Sequence, residues 1–473
     1  MSALVFESFL STAEAIATFS ETAVVQAMLD FEAALAHAQA DEGVIPARAA
    51  AAIAGVCKAE LFDVPAIVAA SGRAGSLAIP LVKKLTETVG LFDAEAAGYV
   101  HWGSTSQDVI DTALVMVTRR SLALMDRDLC TLIAALLELA QRHGDAPVLG
   151  RTLLQPAQVV SLGFKLVGWI APLVRGQQRL RNAGRAALRL QLGGAVGTLA
   201  VMGDKADAVA RRLAELLELA LPPGAWHTQR DEMAALACEI GVLTGSLGKI
   251  ARDISLMAQG EVGELAEPAG SGRGGSSAMP HKRNPVAAML ALAGAMRAPH
   301  RVSALLAAMT QEHERGLGNW QAELAETVGL HVAAHGALKS LADVAGALQV
   351  DAPRMLRNID ALQGLVFAEA VSMRLAQRIG KARAHALLEQ LSQQTVASGG
   401  HLREVTLAAL RSDDALSGQL SADEVSALFD PARAAQRAIE VARPQLAALA
   451  DAALALREHP PWTAWSAEAG AAT

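Results

Sequence analysis

Between Ser106 and His143 the chain carries apolar residues at helical spacing for nearly forty positions, and Gly144 and Pro147 mark where the pattern ends. At ~1.5 Å per residue such a helix is on the order of 55 Å long. A soluble chain holds a helix of that length only by giving it packing partners throughout, so a helix bundle is implied, one that extends across subunits. Composition agrees: 52% of the residues are hydrophobic and only 3% aromatic, a balance that favours long helices packed through alanine and leucine over β-sandwiches. The fold class expected is all-α. At 473 residues the chain exceeds the ~250–300 residues that a single core usually organises, so more than one domain is expected. Helical spacing from Ser11 to Gly43 and punctuation at Gly72, Gly75 and Pro80 outline a small N-terminal helical domain over 1–105. A long-helix bundle domain over 106–350 follows. Asp351 and Pro353 open a C-terminal domain of shorter helices over 351–473, ending in a mobile tail.

Several function classes fall away on bulk properties. A formal charge of -7 and a pI near 6.0 leave no electrostatic footprint for nucleic acid or a membrane surface, so the expected partner is a small molecule. Cys57, Cys130 and Cys238 are too few and too scattered for a disulfide framework or a thiolate metal site, and read as core thiols of a reducing compartment. His331 and His335 share a helix face, but no glutamate follows His331 as a zinc-binding HExxH would need, so both read as structural and no metal is expected. The start of the chain lacks a signal-peptide pattern, and the apolar runs fall short of the ~20 residues that cross a bilayer. A cytoplasmic location is expected.

Chemistry concentrates in Gly274-Gly275-Ser276-Ser277-Ala278-Met279-Pro280-His281-Lys282-Arg283-Asn284-Pro285. A Gly/Ser run alone reads as a surface linker. Here it runs into three cationic side chains and a helix start, with Asn284 as the expected cap and Pro285 at the first helical position. Glycines upstream let such a loop fold over a ligand and aim amides at an anion. Ser276, held as a partial alkoxide by amides and Lys282, is the candidate group for proton transfer at carbon. Gly270, Gly272 and Gly275 also fit the dinucleotide fingerprint, but the chain arrives there from a helical segment rather than a strand, which excludes it.

His101-Trp102-Gly103-Ser104-Thr105-Ser106-Gln107-Asp108 is the second informative stretch, with capping-box spacing from Thr105 to Asp108. Hydroxyls at a helix start both cap it and form an anion site. Gly150 to Ala157 is expected to open the next helix, kinked at Pro172, and Gly193 to Thr198 reads as close backbone packing between helices or as a second cluster of amides facing ligand, the packing reading preferred. Trp226 to Asp231 should start another long helix. Glu261, Glu264 and Glu267 read as a charged helix end rather than as a catalytic pair.

The stretch GSSAMPHKRNP resembles the signature of the fumarase/aspartase superfamily, and the similarity runs through nearly the whole chain. The resemblance implies a three-domain, all-α fold whose central bundle is shared across a homotetramer, with active sites built from motifs of different chains and no cofactor. It assigns the carbon acid or base to Ser276, with Lys282 and His101 as further catalytic residues. Substrate contacts by match are Thr105 and Ser106 from an HxGxTSxD-like motif, Thr152 and Gln155 from a TxxQ motif, and Ser277, His281 and Asn284 from the signature. Arg230 in a TQxxRD-like element reads either as a carboxylate clamp or as a salt-bridge partner of Asp231, and Arg315 matches an arginine of the family.

Two departures from the family pattern narrow the implied chemistry. Many amine-eliminating relatives place a histidine directly after the matching threonine, where this chain has Leu153. Leucine cannot protonate a basic leaving group, whereas a carboxylate, with a conjugate-acid pKa of about 4, needs no such help. Adenylosuccinate lyases hold a phosphate with residues that match Trp320 and Leu324 here, and burying a phosphate against these would be strongly unfavourable. The resemblance is greatest to the superfamily's bacterial cycloisomerases, and it implies a polycarboxylate substrate, 3-carboxy-cis,cis-muconate, closed to a lactone through an enediolate.

Overall fold

The computed structural model describes residues 5–270, 274, 275, 279, 282–412, 416–459 and 461. Seven principal helices organise it: α1 (Glu21–Asp41), α2 (Ser106–His143), α3 (Leu162–Ala187), α4 (Asp231–Met257), α5 (Val286–Ala307), α6 (Asn319–Ala345) and α7 (Pro431–Glu458). The strands are short: β1 (Pro147–Thr152), β2 (Gln155–Ser161), β3 (Leu265–Ala266) and β4 (Gln349–Val350), in two antiparallel pairs. The all-α architecture is therefore the one the composition implied.

Helix α2 starts where its capping box predicted, with the Thr105 amide donating to Asp108 Oδ2 at 3.0 Å, and it runs for 38 residues. Every residue from Gln107 to Thr118 is buried, with Gln191 and Gly193 from the segment after α3, Arg230 from the start of α4 and Trp320 from α6 bonded to this end of the helix. A helix covered on all sides has no amphipathic stripe to follow, which is why polar residues sit here on internal partners. Helices α3 to α6 pack on one another as the rest of the bundle. Among the described residues, α4 alone is long and apolar enough to cross a membrane, and it packs against α3, α5 and α6. His331 and His335 are buried structural groups on α6, bonded to Ser121 Oγ at 2.9 Å and to Asp128 Oδ2 at 3.0 Å. Burial holds His331 neutral, lowering its pKa to about 4.

Three local expectations give way. Gly150 to Ala157 forms a β-hairpin rather than a helix start, pairing Pro147 with Ser161 through to Thr152 with Gln155. Leu149 and Val159 face each other across it and pack into the C-terminal apolar cluster, so tertiary contacts override helix propensity. Its two-residue turn puts Leu153 (φ 51°) and Leu154 (φ 66°) in the left-handed region that a type I′ turn demands, without the Asn-Gly signal that usually betrays one. Helix α3 begins only afterwards, capped by Ser161 Oγ on the Phe164 amide, and keeps Pro172 inside it.

Second, Asn284 does not cap α5. Glu267 does so from a distance, accepting the Ala287 and Ala288 amides at 3.0 and 2.9 Å, an anion placed at the positive end of the helix. Glu264 is likewise no surface charge: fully buried, it takes two bonds from Arg151 and one from Asn358. Third, the C-terminal region is not made of short helices alone. After short helices between Ala352 and Leu428, α7 runs 28 residues and returns to pack on α3 and α2.

Candidate active site

Arg315 lies in the irregular stretch between α5 and α6 and reaches the first turn of α2. Its Nη1 donates to Thr105 Oγ1 at 2.8 Å, its Nη2 to Ser106 Oγ at 3.1 Å and its Nε to Gln107 Oε1 at 3.4 Å. All three of Thr105, Ser106 and Arg315 are only partly buried. A hydroxyl that accepts from a guanidinium keeps its own O–H to donate. The cluster therefore combines a fixed cation, two free hydroxyl protons and the positive end of a long helix, which is the equipment for holding a carboxylate.

Below this cluster Asp108 is fully buried and acts as an internal anchor. It accepts from the Gly193 and Gly194 amides at 3.0 and 2.9 Å and sits 2.7 Å from His227 Nε2. The glycine interruption is thus close packing, as the sequence suggested, with these two amides turned to Asp108. A Cβ on Gly193 would lie 2.5 Å from Ala225 Cβ and 2.8 Å from His227 Cε1, so only glycine fits.

Arg230 is not available as a substrate clamp, and its partner is not Asp231. It is 2% exposed and commits its guanidinium to two of the protein's own carboxylates, Asp111 at 2.8 and 3.1 Å and Glu323 at 2.5 to 3.2 Å. Trp226 stacks beneath the guanidinium at 4.5 Å. Trp320, also buried, donates its indole N–H to Asp111 Oδ1 at 2.9 Å. Gln107 links this network to Arg315, since its amide donates to Asp111 while its carbonyl accepts from Arg315.

His101 sits in the turn before α2, with Nδ1 2.6 Å from Glu32 Oε1. Sequence reasoning did not single out Glu32, although a signal was there: it falls on the face of α1 that carries Met28 and Leu35, where an unpaired acid would be costly.

The remaining candidates lie elsewhere in the chain. Lys282 and Asn284 line a cavity of about 860 Å³ with Glu267 and Gly274. Gly274 has φ 66° and a Cβ there would come within 2.7 Å of Asn284 O, so glycine is needed where the start of the loop passes its exit. Ser276, Ser277 and His281 lie outside the described residues. Thr152 and Gln155 flank the hairpin turn, exposed together with Leu153, which is 96% accessible. The Arg151–Glu264 ion pair fastens that hairpin to the segment that walls the cavity. Among the described residues no hydrogen bond or ion pair joins the Thr105–Ser106–Arg315 cluster to Lys282, Asn284, Thr152 or Gln155.

Comparison with known proteins adds to this geometry. A lyase family model matches residues 10–299, and a model of the adenylosuccinate lyase C-terminus matches residues 364–443. The chain is 50% identical to the 3-carboxy-cis,cis-muconate cycloisomerase of Bradyrhizobium diazoefficiens over 422 residues, 89% of this chain and 93% of that protein. It is equally 50% identical to the enzyme of that name from Pseudomonas aeruginosa, over 90% and 92% of the two chains. Among solved structures, the 3-carboxy-cis,cis-muconate lactonizing enzyme from Pseudomonas putida superposes with a TM-score of 0.89 at 44% identity, covering 96% of this chain and all of that one.

Proposed function

We propose, from the premise that the chain belongs to the fumarase/aspartase superfamily of lyases, that it cyclises 3-carboxy-cis,cis-muconate to 4-carboxymuconolactone. The observation that carries this reading is 50% identity, over nearly all of both chains, to a relative named for that substrate. The residues agree with it. Leu153 offers no acid for an amine leaving group, and the indole N–H of Trp320 is already bonded to Asp111 in the region where nucleotide-cleaving relatives hold phosphate.

In the reaction one terminal carboxylate oxygen adds to the carbon bearing the branch carboxylate. The electron pair of that double bond moves toward the other terminal carboxylate as an enediolate, and a proton then arrives at the carbon between them. The substrate trianion takes up one proton as it closes to the lactone dianion, and the group that delivers this proton regains one from solvent before the next turnover. The nucleophile is built into the substrate, so holding the chain in the reacting geometry supplies much of the rate. Charge accumulating on the enediolate needs fixed donors. The Thr105–Ser106–Arg315 cluster supplies one set, Lys282 and Asn284 a second, and Thr152 and Gln155 a third, with Ser277 and His281 contributing by family match. Ser276 in its neutral form delivers the proton.

The conjugated diene is destroyed on cyclisation, so its ultraviolet absorbance should fall when enzyme is added, with no metal or nucleotide present and no inhibition by a chelator. Adenylosuccinate should release no fumarate in a parallel assay. Persistence of the diene at saturating enzyme, with cleavage of an amino-linked succinate instead, would overturn the assignment.

The same reading places the three groups of residues in one site only when chains assemble as a homotetramer. Exposed apolar side chains on the bundle, among them Phe164, Val242, Met289 and Met296, support such assembly. Two inactive variants, Ser276→Ala and Thr105→Ala, should regain part of the wild-type turnover when mixed under conditions of subunit exchange. Exchange demonstrated by mass, with no return of activity, would refute shared sites.

A further inference from the structure

Helix α1 grips the turn in front of α2 at two points seven residues apart on one face. Glu32 meets His101 Nδ1 at 2.6 Å, and Gln39 Nε2 donates to the Trp102 carbonyl at 2.6 Å. In the same turn His101 holds φ 58° and Gly103 φ 70°. A non-glycine residue in that region is strained and persists only where its surroundings over-determine it, which is common where a side chain must be aimed. Glu32 is 1% exposed, and its second oxygen, Oε2, is buried with no hydrogen-bond partner. A carboxylate left this dry is retained at a cost that ordinary packing does not explain.

We propose that Glu32 is a positioning residue: it fixes the His101 ring with its Nδ1 proton directed inward, and so presents Nε2–H as a cationic donor to a carboxylate of the substrate held at the Thr105–Ser106 helix start. This rests on the polycarboxylate reading above.

The surroundings of the pair favour the cation. Burial alone would lower the pKa of His101, but the charge of Glu32 and its hydrogen bond, helped by Asp108, outweigh burial and raise it. Asp108 faces the ring from α2 and is itself paired with His227. Cys57 also feels Glu32: its pKa is pushed up by burial and by the charges of Glu32 and Asp30, so it stays a neutral thiol. Met202 and Val201 close the turn with apolar contacts over Gly103. The sign follows: the imidazolium persists below its raised pKa and is lost as pH climbs through it.

Removing the charge of Glu32 leaves burial less opposed. In Glu32→Gln the His101 titration, followed by NMR of ligand-free, histidine-labelled protein, should move down to lower pH. The alkaline limb of kcat/KM should move down with it, KM rising at neutral pH more than kcat falls. Glu32→Asp, which keeps the charge, should restore most of both, and His101→Gln should abolish that limb. An unchanged His101 titration in Glu32→Gln, or in Glu32→Ala should the amide variant not fold, overturns the pairing whatever the substrate. A shifted titration with an unmoved kcat/KM limb overturns the catalytic role while leaving the cyclising reaction intact.

Discussion

Ser276→Ala should lower turnover by roughly two to four orders of magnitude, the usual scale for a lost general acid or base. Cyclisation puts the enediolate's electron pair on one carbon, and the reaction ends only when a proton reaches it. A hydroxyl is a weak acid at its free pKa, so the group needs cations and amides that stabilise its alkoxide as the proton leaves. Lys282 stands in the cavity at the exit of the same loop. The variant should keep its assembly mass and nearly unchanged substrate affinity, since the carboxylate-holding groups remain. Single-turnover measurement of diene loss isolates the chemical step. Turnover near wild type would transfer the proton to a histidine, His101 or His281.

Legibility in the sequence followed the locality of the signal. The 38-residue helix was readable because its capping box and its periodicity lie within one segment. The Thr105 and Ser106 hydroxyls were readable for the same reason. The hairpin at Leu153 and Leu154 was not, because its stability comes from Leu149 and Val159 packing against a cluster that begins at Ile359, and its turn carries no glycine or asparagine. Long-range partners were equally silent. Asn284 looked like the cap of α5 because it adjoins it, whereas Glu267, twenty residues upstream of Ala287, makes the bonds. A buried acid on an apolar helix face, such as Glu32, announces that it has a partner but not which one.

Arg230 shows the same limit, and its substitution carries the largest expected loss of stability. Its guanidinium bridges Asp111 on α2 to Glu323 on α6 from the start of α4, so three helices of the bundle meet on one charge. Asp111 also takes the Trp320 indole N–H and the Gln107 amide, and all of these groups are buried. Arg230→Met would leave two carboxylates beside each other in a dry interior with no cation between them. Breaking a buried ion pair in this way costs about 3–5 kcal/mol, because the abandoned charge keeps its desolvation penalty. Arg230→Lys should recover only part of that, since one ammonium cannot fork to two carboxylates as a planar guanidinium does. Adding Glu323→Gln to Arg230→Met should restore some stability by removing one abandoned charge, a non-additive outcome expected only of residues that interact directly. Urea and thermal unfolding followed by circular dichroism would measure all three. The network also holds Gln107, and through it Arg315, at the first turn of α2, so Arg230→Met protein that remains folded should bind substrate more weakly. An Arg230→Met variant that unfolds within about 1 kcal/mol of wild type, well short of the cost of an abandoned buried charge, would mean that the two carboxylates find protons or water that the wild-type interior denies them.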